Sequence, residues 1–176
     1  MPGVEVRFRS PDGALDERAG AIEVRSPAMA SGYLRRPVEQ AMNFIDGWYR
    51  TGDLGHLDED SYLHIHGRVV DCAEIDGRLV TPTALQDLLC RRSVVRYAVI
   101  VPDPDAATRI AAVLSWPGQT VDTAGCLDTI TGAFGPSVAS TVVVLLLDWI
   151  PLTEQGKPNR PEIRRLGREL AAATGK

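Results

Sequence analysis

Lysine is almost absent from this chain: two lysines stand against seventeen arginines. One of the two is the last residue, Lys176; the other is Lys157, inside a Gly/Pro-framed stretch, Pro151-Leu152-Thr153-Glu154-Gln155-Gly156-Lys157-Pro158-Asn159-Arg160. Cysteine is scarce as well. Cys72, Cys90 and Cys126 are odd in number and far apart, with no CxxC or Cys/His ligand spacing, which excludes a zinc knuckle or a disulfide framework. Three reduced thiols fit a cytoplasmic protein. Long apolar runs are missing too. The longest, Val142 to Leu147, is too short to cross a bilayer, and Pro2, Gly3 and the charged alternation after them do not read as a secretory leader. Positive charge is not in excess. The net charge of −4 gives no electrostatic footprint for nucleic acid or an anionic membrane.

What is present divides into two styles. Up to about Arg68 the chain reads as β-strands and turns. Val4, Val6 and Phe8 alternate with Glu5, Arg7 and Arg9, as a half-buried strand does. Further strands are expected at Ala21 to Arg25, Trp48 to Thr51 and Tyr62 to Arg68, with a short helix at Val38 to Phe44. After Arg68, helical spacing appears. Thr81-Pro82 is a cap followed by a first-turn proline, leading Leu85, Leu88 and Leu89 on one face. Val94 to Val101, Ile110 to Leu114 and Thr141 to Leu147 are dense apolar strands. Leu127, Ile130 and Phe134 line a second helix, and Pro161 opens a last one with Ile163, Leu166 and Leu170 inward. The fold class is therefore α+β. A β-rich segment, residues 1–68, precedes a small α+β domain, residues 72–176, with a short hinge at 69–71 rather than a Gly/Ser linker.

Three segments carry candidate chemistry. In Gly47-Trp48-Tyr49-Arg50-Thr51-Gly52-Asp53-Leu54-Gly55, Gly52 allows a tight backbone turn before Asp53. A carboxylate fixed there accepts two hydrogen bonds from a vicinal diol such as a ribose; taken alone, it is equally an Asx-turn acid. In Gly67-Arg68-Val69-Val70-Asp71, Arg68 could reach the same ligand or make a surface ion pair. Lys157 supplies a compact, flexible ammonium where a planar guanidinium would be the ordinary choice of this chain. Such a group can bridge a carboxylate and a phosphate oxygen as charge develops. Other groups read as structural. His64 and His66 share a strand face with no further metal ligand evident, and Asp103 and Asp105 flank Pro104 in a turn. Trp48 and Trp149 read as packing anchors, and Arg164, Arg165 and Arg168 as a solvated helix face.

Taken in this order, the segments resemble the adenylate-forming ligases: AMP-forming acyl-CoA synthetases, peptide-synthetase adenylation domains and luciferases. The matching text also includes Gly20 to Pro27, Gly32-Tyr33-Leu34 and Gly77 with Pro82. The resemblance implies that the chain is the C-terminal portion of such an enzyme. It would comprise the end of the large domain's barrel subdomain and the complete small domain. It implies ATP or AMP and CoA, or a carrier's phosphopantetheine, as the molecules handled, with a carboxylic (fatty) acid as substrate. Asp53 and Arg68 would hold the nucleotide, Asp71 would be the hinge, Gly77 would lie on the thioester loop, and Lys157 would catalyse adenylation. Neither the phosphate loop nor the adenine and magnesium segment of the family is found in these residues, so the magnesium that accompanies ATP would bind outside this chain. The expected partner is the missing large domain, in cis or in trans, and these residues alone are expected to be inactive. The segment after Asp71 departs from the family pattern: Glu74 and Asp76 replace a lysine and a glycine, and Ala84 and Gln86 replace acids on the next helix. Asp76-Gly77-Arg78 resembles fatty acyl-AMP ligases, which pass acyl groups to carrier proteins. A non-catalytic remnant or interaction module of the same fold is the remaining alternative.

Overall fold

The computed structural model describes residues 3–174; Met1, Pro2, Gly175 and Lys176, and the expectations that fell on them, lie outside the described residues. The chain divides between Val70 and Asp71 into two compact units. No helix among the described residues is long and apolar enough to cross a membrane.

The first unit is one antiparallel sheet. Its elements are β1 (Glu5–Arg9), β2 (Leu15–Asp16), β3 (Ala19–Arg25), α1 (Pro37–Asn43), β4 (Phe44–Ile45), β5 (Trp48–Leu57) and β6 (Leu63–Arg68). The order is β2-β1-β3-β5-β4, with β6 also on β5. Alternation sorts the two faces. Phe8 opposes Ile22 and Val6 opposes Val24 on one face, and Phe8 and Ile22 are buried. On the other face Arg7 opposes Glu23 and Arg50 opposes Glu23 from the far side. Glu23 is only 2% exposed and takes bonds from Arg7 (2.7 Å), Arg9 (2.8 Å) and Arg50 (3.1 Å). The Arg9 bond, followed by those of Arg7 and Arg50, outweighs burial and holds the Glu23 carboxyl down to about 2. Trp48 is buried beside the guanidiniums of Arg7 and Arg25, 4.1 and 4.6 Å from its ring.

The expected end of β5 at Thr51 is corrected. The strand continues to Leu57 through a bulge in which Thr51, Gly52 and Asp53 oppose the single residue Ile22. Gly52 sits at φ +76°, so the glycine kinks a strand rather than closing a turn. The Thr51 hydroxyl fills the gap: it donates to Ile22 O and accepts from Asp53 N, both at 3.0 Å.

A 3-10 turn, Val69–Asp71, leads to the second unit. There β7 (Ala73–Ile75) and β8 (Arg78–Val80) form a hairpin that the sequence reading missed. Asp76 and Gly77 both have positive φ, +51° and +71°, the signature of a two-residue type I′ turn. Then follow α2 (Pro82–Cys90), β9 (Val95–Asp103), β10 (Thr108–Ser115), α3 (Thr123–Phe134), α4 (Pro136–Ser140), β11 (Val142–Leu147) and α5 (Arg160–Thr174). Thr81 caps α2 by accepting from Ala84 N at 3.1 Å. The sheet order is β11-β10-β9; β10 runs parallel to β11 and antiparallel to β9.

Both faces of this sheet are covered, which is why β11 and the 110–114 stretch of β10 are apolar. Ala111, Val113, Val142 and Val144 pack with Leu85 and Leu89 of α2 and Ile130 of α3. Ile110, Ala112, Val143 and Leu145 pack with Ile163 of α5. At Gly167 an added Cβ would lie 2.4 Å from Ile110 Cγ1, so α5 can approach the strand only with glycine there.

Two structural expectations are corrected here. Arg165 and Arg168 are exposed as expected, but the face is not free: the half-buried Arg164 donates from Nε to Pro102 O at 2.8 Å, and Arg168 pairs with the buried Asp103 and with Asp105 at 2.7 Å. Trp149 is no packing anchor, being 68% exposed.

Candidate functional site

The β5 bulge turns Asp53 toward its register partner on β6, Arg68. Arg68 Nη1 donates to Asp53 Oδ1 at 3.0 Å and to Thr51 O at 2.9 Å. The Asp53 side chain is 30% exposed and that of Arg68 55%. An ionised carboxylate offers about four acceptor sites, so pairing with Arg68 leaves capacity for a diol. Gly52 is needed twice over. Its φ is positive, and a Cβ there would sit 3.3 Å from Arg68 Nη2.

In the second unit Lys157 lies on a short hairpin. Leu152 bridges Pro158, Thr153 N donates to Lys157 O (2.7 Å), Gly156 N to Thr153 O (2.9 Å) and Asn159 N to Pro151 O (2.8 Å). Gly156 takes φ +74° in the turn. The backbone is thus tied down while the Lys157 side chain is exposed. Among the described residues its ammonium has no hydrogen-bond or ion-pair partner. A groove of about 550 Å³ beside the hairpin is lined by Tyr97, Trp149, Leu152, Gly156 and Pro158 among others.

Asp71 ends the 3-10 turn and receives a bond from Arg160 Nη2 at 2.6 Å. In the sequence Arg160 only closes the stretch around Lys157, with no role assigned; its partner is 89 positions away. Next to Asp71, burial and the Asp71 charge push the Cys72 thiol up, against the buried Arg109 guanidinium. Gly77 occupies the β7–β8 turn, and nothing would lie within 4 Å of a Cβ there, so its glycine is a backbone requirement in this conformation. Glu74 and Asp76 are exposed on the same hairpin.

The histidines are joined by a third that the sequence reading did not include. His56 faces His64 in register, His56 Nδ1 lies 2.8 Å from His66 Nε2, and His64 Nε2 lies 2.7 Å from Asp58 Oδ2. Burial, then the neighbouring His56 and His64, push His66 down. Among the described residues no group of three His, Cys, Asp or Glu is arranged to hold a metal ion. The structure therefore brings Asp53 to Arg68 in the first unit, and Asp71 to Arg160 beside the Lys157 hairpin in the second.

No protein-family model matches the chain. Individual proteins do. The chain is 32% identical over 182 residues to the anthranilate–CoA ligase of Pseudomonas aeruginosa, an alignment that covers 97% of this chain and 35% of that protein. It is 29% identical over 154 residues to the medium/long-chain-fatty-acid–CoA ligase FadD8 of Mycobacterium tuberculosis, covering 82% of this chain and 27% of the relative. Among solved structures, the amide bond synthetase McbA from Marinactinospora thermotolerans superposes with a TM-score of 0.78 at 33% identity, over 93% of this chain and 35% of its own. ATP-bound MatB from Rhodopseudomonas palustris gives a TM-score of 0.79 at 29% identity, over 97% and 35%. The chain spans about a third of the length of the first of these curated relatives and about a quarter of the second.

Proposed function

This chain belongs to the adenylate-forming, AMP-binding ligase superfamily, and from that premise we propose that it is the C-terminal portion of an AMP-forming acid–thiol ligase. The parent reaction joins a carboxylic acid to ATP, releasing pyrophosphate and giving an acyl-adenylate. The acyl group then passes to a thiol, that of CoA or of a carrier's phosphopantetheine. The first unit supplies the end of the large domain and the second the small domain, with Val69–Asp71 as the hinge between the two half-reactions.

The observation that carries this reading is Lys157. An ammonium on a backbone-pinned hairpin, with no partner among the described residues, is a charge held for something outside its own unit. It would bridge the acid's carboxylate and the α-phosphate as negative charge builds, and such a donor is typically worth roughly 10²–10³-fold in rate. Asp53, braced by Arg68, fits the ribose end of the nucleotide: a partly exposed acceptor beside a cation. A magnesium ion travelling with ATP would take its protein ligands from the large domain.

One departure bears on the acceptor. Glu74 and Asp76 stand exposed on the β7–β8 hairpin, where the resemblance places the thioester loop. Two carboxylates there disfavour the several phosphates of CoA more than the single phosphate of a carrier-borne arm. That favours the carrier as the second substrate.

The test is complementation. The 176 residues are mixed with the large domain of a relative, and acid-dependent exchange of pyrophosphate into ATP is followed over a panel of acids. The chain alone is expected to show none, and the mixture is expected to show exchange with at least one acid. Silence with every acid, while the relative's own C-terminal third restores exchange, would remove the proposal.

A further inference from the structure

Arg160 is the first residue of α5, three places beyond Lys157. Its guanidinium holds Asp71, whose side chain is only 12% exposed. A carboxylate that shielded keeps its charge cheaply only while its partner stays in place. On its other side Arg160 is continuous with the hairpin. Asn159 N closes the hairpin on Pro151 O at 2.8 Å, Asn159 O accepts from Ile163 N at 3.0 Å, and Asn159 Oδ1 accepts from Glu162 N at 3.3 Å. Ile163 is fully buried in the sheet-facing core. Helix start, hairpin base and Asp71 thus form one braced block. Val70, immediately before Asp71, is 87% exposed.

We propose that Arg160 is a positioning residue: a strut that locks Asp71 to the base of the Lys157 hairpin, so that the chain turns at Val69–Val70 and Lys157 moves with Asp71 as one piece. The inference rests on the reading of Lys157 given above and adds to it a residue and a pivot. A hinge whose side chain were loose would let the small domain turn without setting the direction of Lys157. A hinge residue clamped to the hairpin transmits the turn. The fork geometry of arginine suits a clamp of this kind better than the single ammonium of lysine.

Hydrogen exchange on the chain itself tests the strut independently of catalysis. Arg160→Gln and Asp71→Asn are each expected to lower protection of the Gly156 and Asn159 amides on the order of tenfold, the scale of one charge-assisted hydrogen bond. The double variant is expected to lose no more than either single one, because both remove the same contact. Arg160→Lys is expected to recover part of the protection, and the amides of β9 and β10 serve as the control for intact folding. Unchanged hairpin protection, loss spread evenly over the unit, or additive losses in the double variant would each overturn the strut. In the complemented enzyme, Arg160→Gln is expected to slow pyrophosphate exchange while leaving thioester formation from supplied acyl-adenylate intact; equal losses in both would also overturn it. If the unaltered chain supports no exchange, the functional proposal fails, and the exchange data on the chain still decide for or against the strut.

Discussion

Glu23→Gln is the most informative stability perturbation in the first unit. The Glu23 side chain is 3% exposed, and Arg7, Arg9 and Arg50 converge on it. Holding its carboxyl from the ordinary 4.5 down to about 2 corresponds to about 3 kcal/mol of stability. Arg50 is 42% exposed and partly screened, so about 2–3 kcal/mol is the working figure. The sign follows from the direction. A carboxyl depressed in the fold contributes fully above 4.5, and the contribution disappears as pH falls from 4.5 to about 2. Glutamine keeps the size and loses the charge, leaving three guanidiniums facing one another. Urea unfolding read by Trp48 fluorescence, in a Trp116→Phe, Trp149→Phe background, reports on this unit. Both removed tryptophans are exposed, at 48% and 68%, so their loss should be mild. At pH 7 the variant should be about 2–3 kcal/mol less stable, and its difference from the parent should shrink toward zero by about pH 2. A difference under about 0.5 kcal/mol at pH 7, or one that stays constant through the acid range, would refute the reasoning. The result bears on the site, because Arg50 leads directly into the bulge that presents Asp53.

Further outcomes are expected from the same geometry. Gly52→Ala combines a positive φ with a 3.3 Å approach to Arg68, whereas Gly77→Ala has only the φ; calorimetry should show about 1 kcal/mol lost at Gly77 and more at Gly52. Arg168→Ala strands the buried Asp103 carboxylate and should lower the urea midpoint of the second unit. Arg165→Ala, whose acidic partners are exposed, should leave that midpoint almost unchanged, and equal shifts for the two variants would contradict the assignment. His66 is pushed down in the fold, so the first unit should lose stability as pH falls below 6.5, a slope that His66→Gln should weaken.

Local signals and long-range pairings differed in how far they could be read. The start of α2 was legible because Thr81, Pro82 and the leucine spacing all act within a few residues. So was β11, whose unbroken apolar run fits a strand covered on both faces. The β7–β8 hairpin also had a local signal, the Asp76-Gly77 pair, but its strands are only three residues each and show no period. The Asp53–Arg68 contact needs a register that depends on the Gly52 bulge, and no residue count reveals that bulge. The anchoring of Arg164 and Arg168 was hidden because their partners lie on β9, more than sixty positions earlier. Asp71 and Arg160 were both visible as motif residues, yet their pairing over 89 positions belongs to the fold alone.

Lys157→Ala, compared in two half-reactions of the complemented enzyme, probes the central claim most directly. Acid-dependent pyrophosphate exchange should fall by roughly 10²–10³-fold, while acyl transfer from supplied acyl-adenylate to the thiol should proceed as in the parent. Exchange undiminished by the loss of that ammonium would contradict the account.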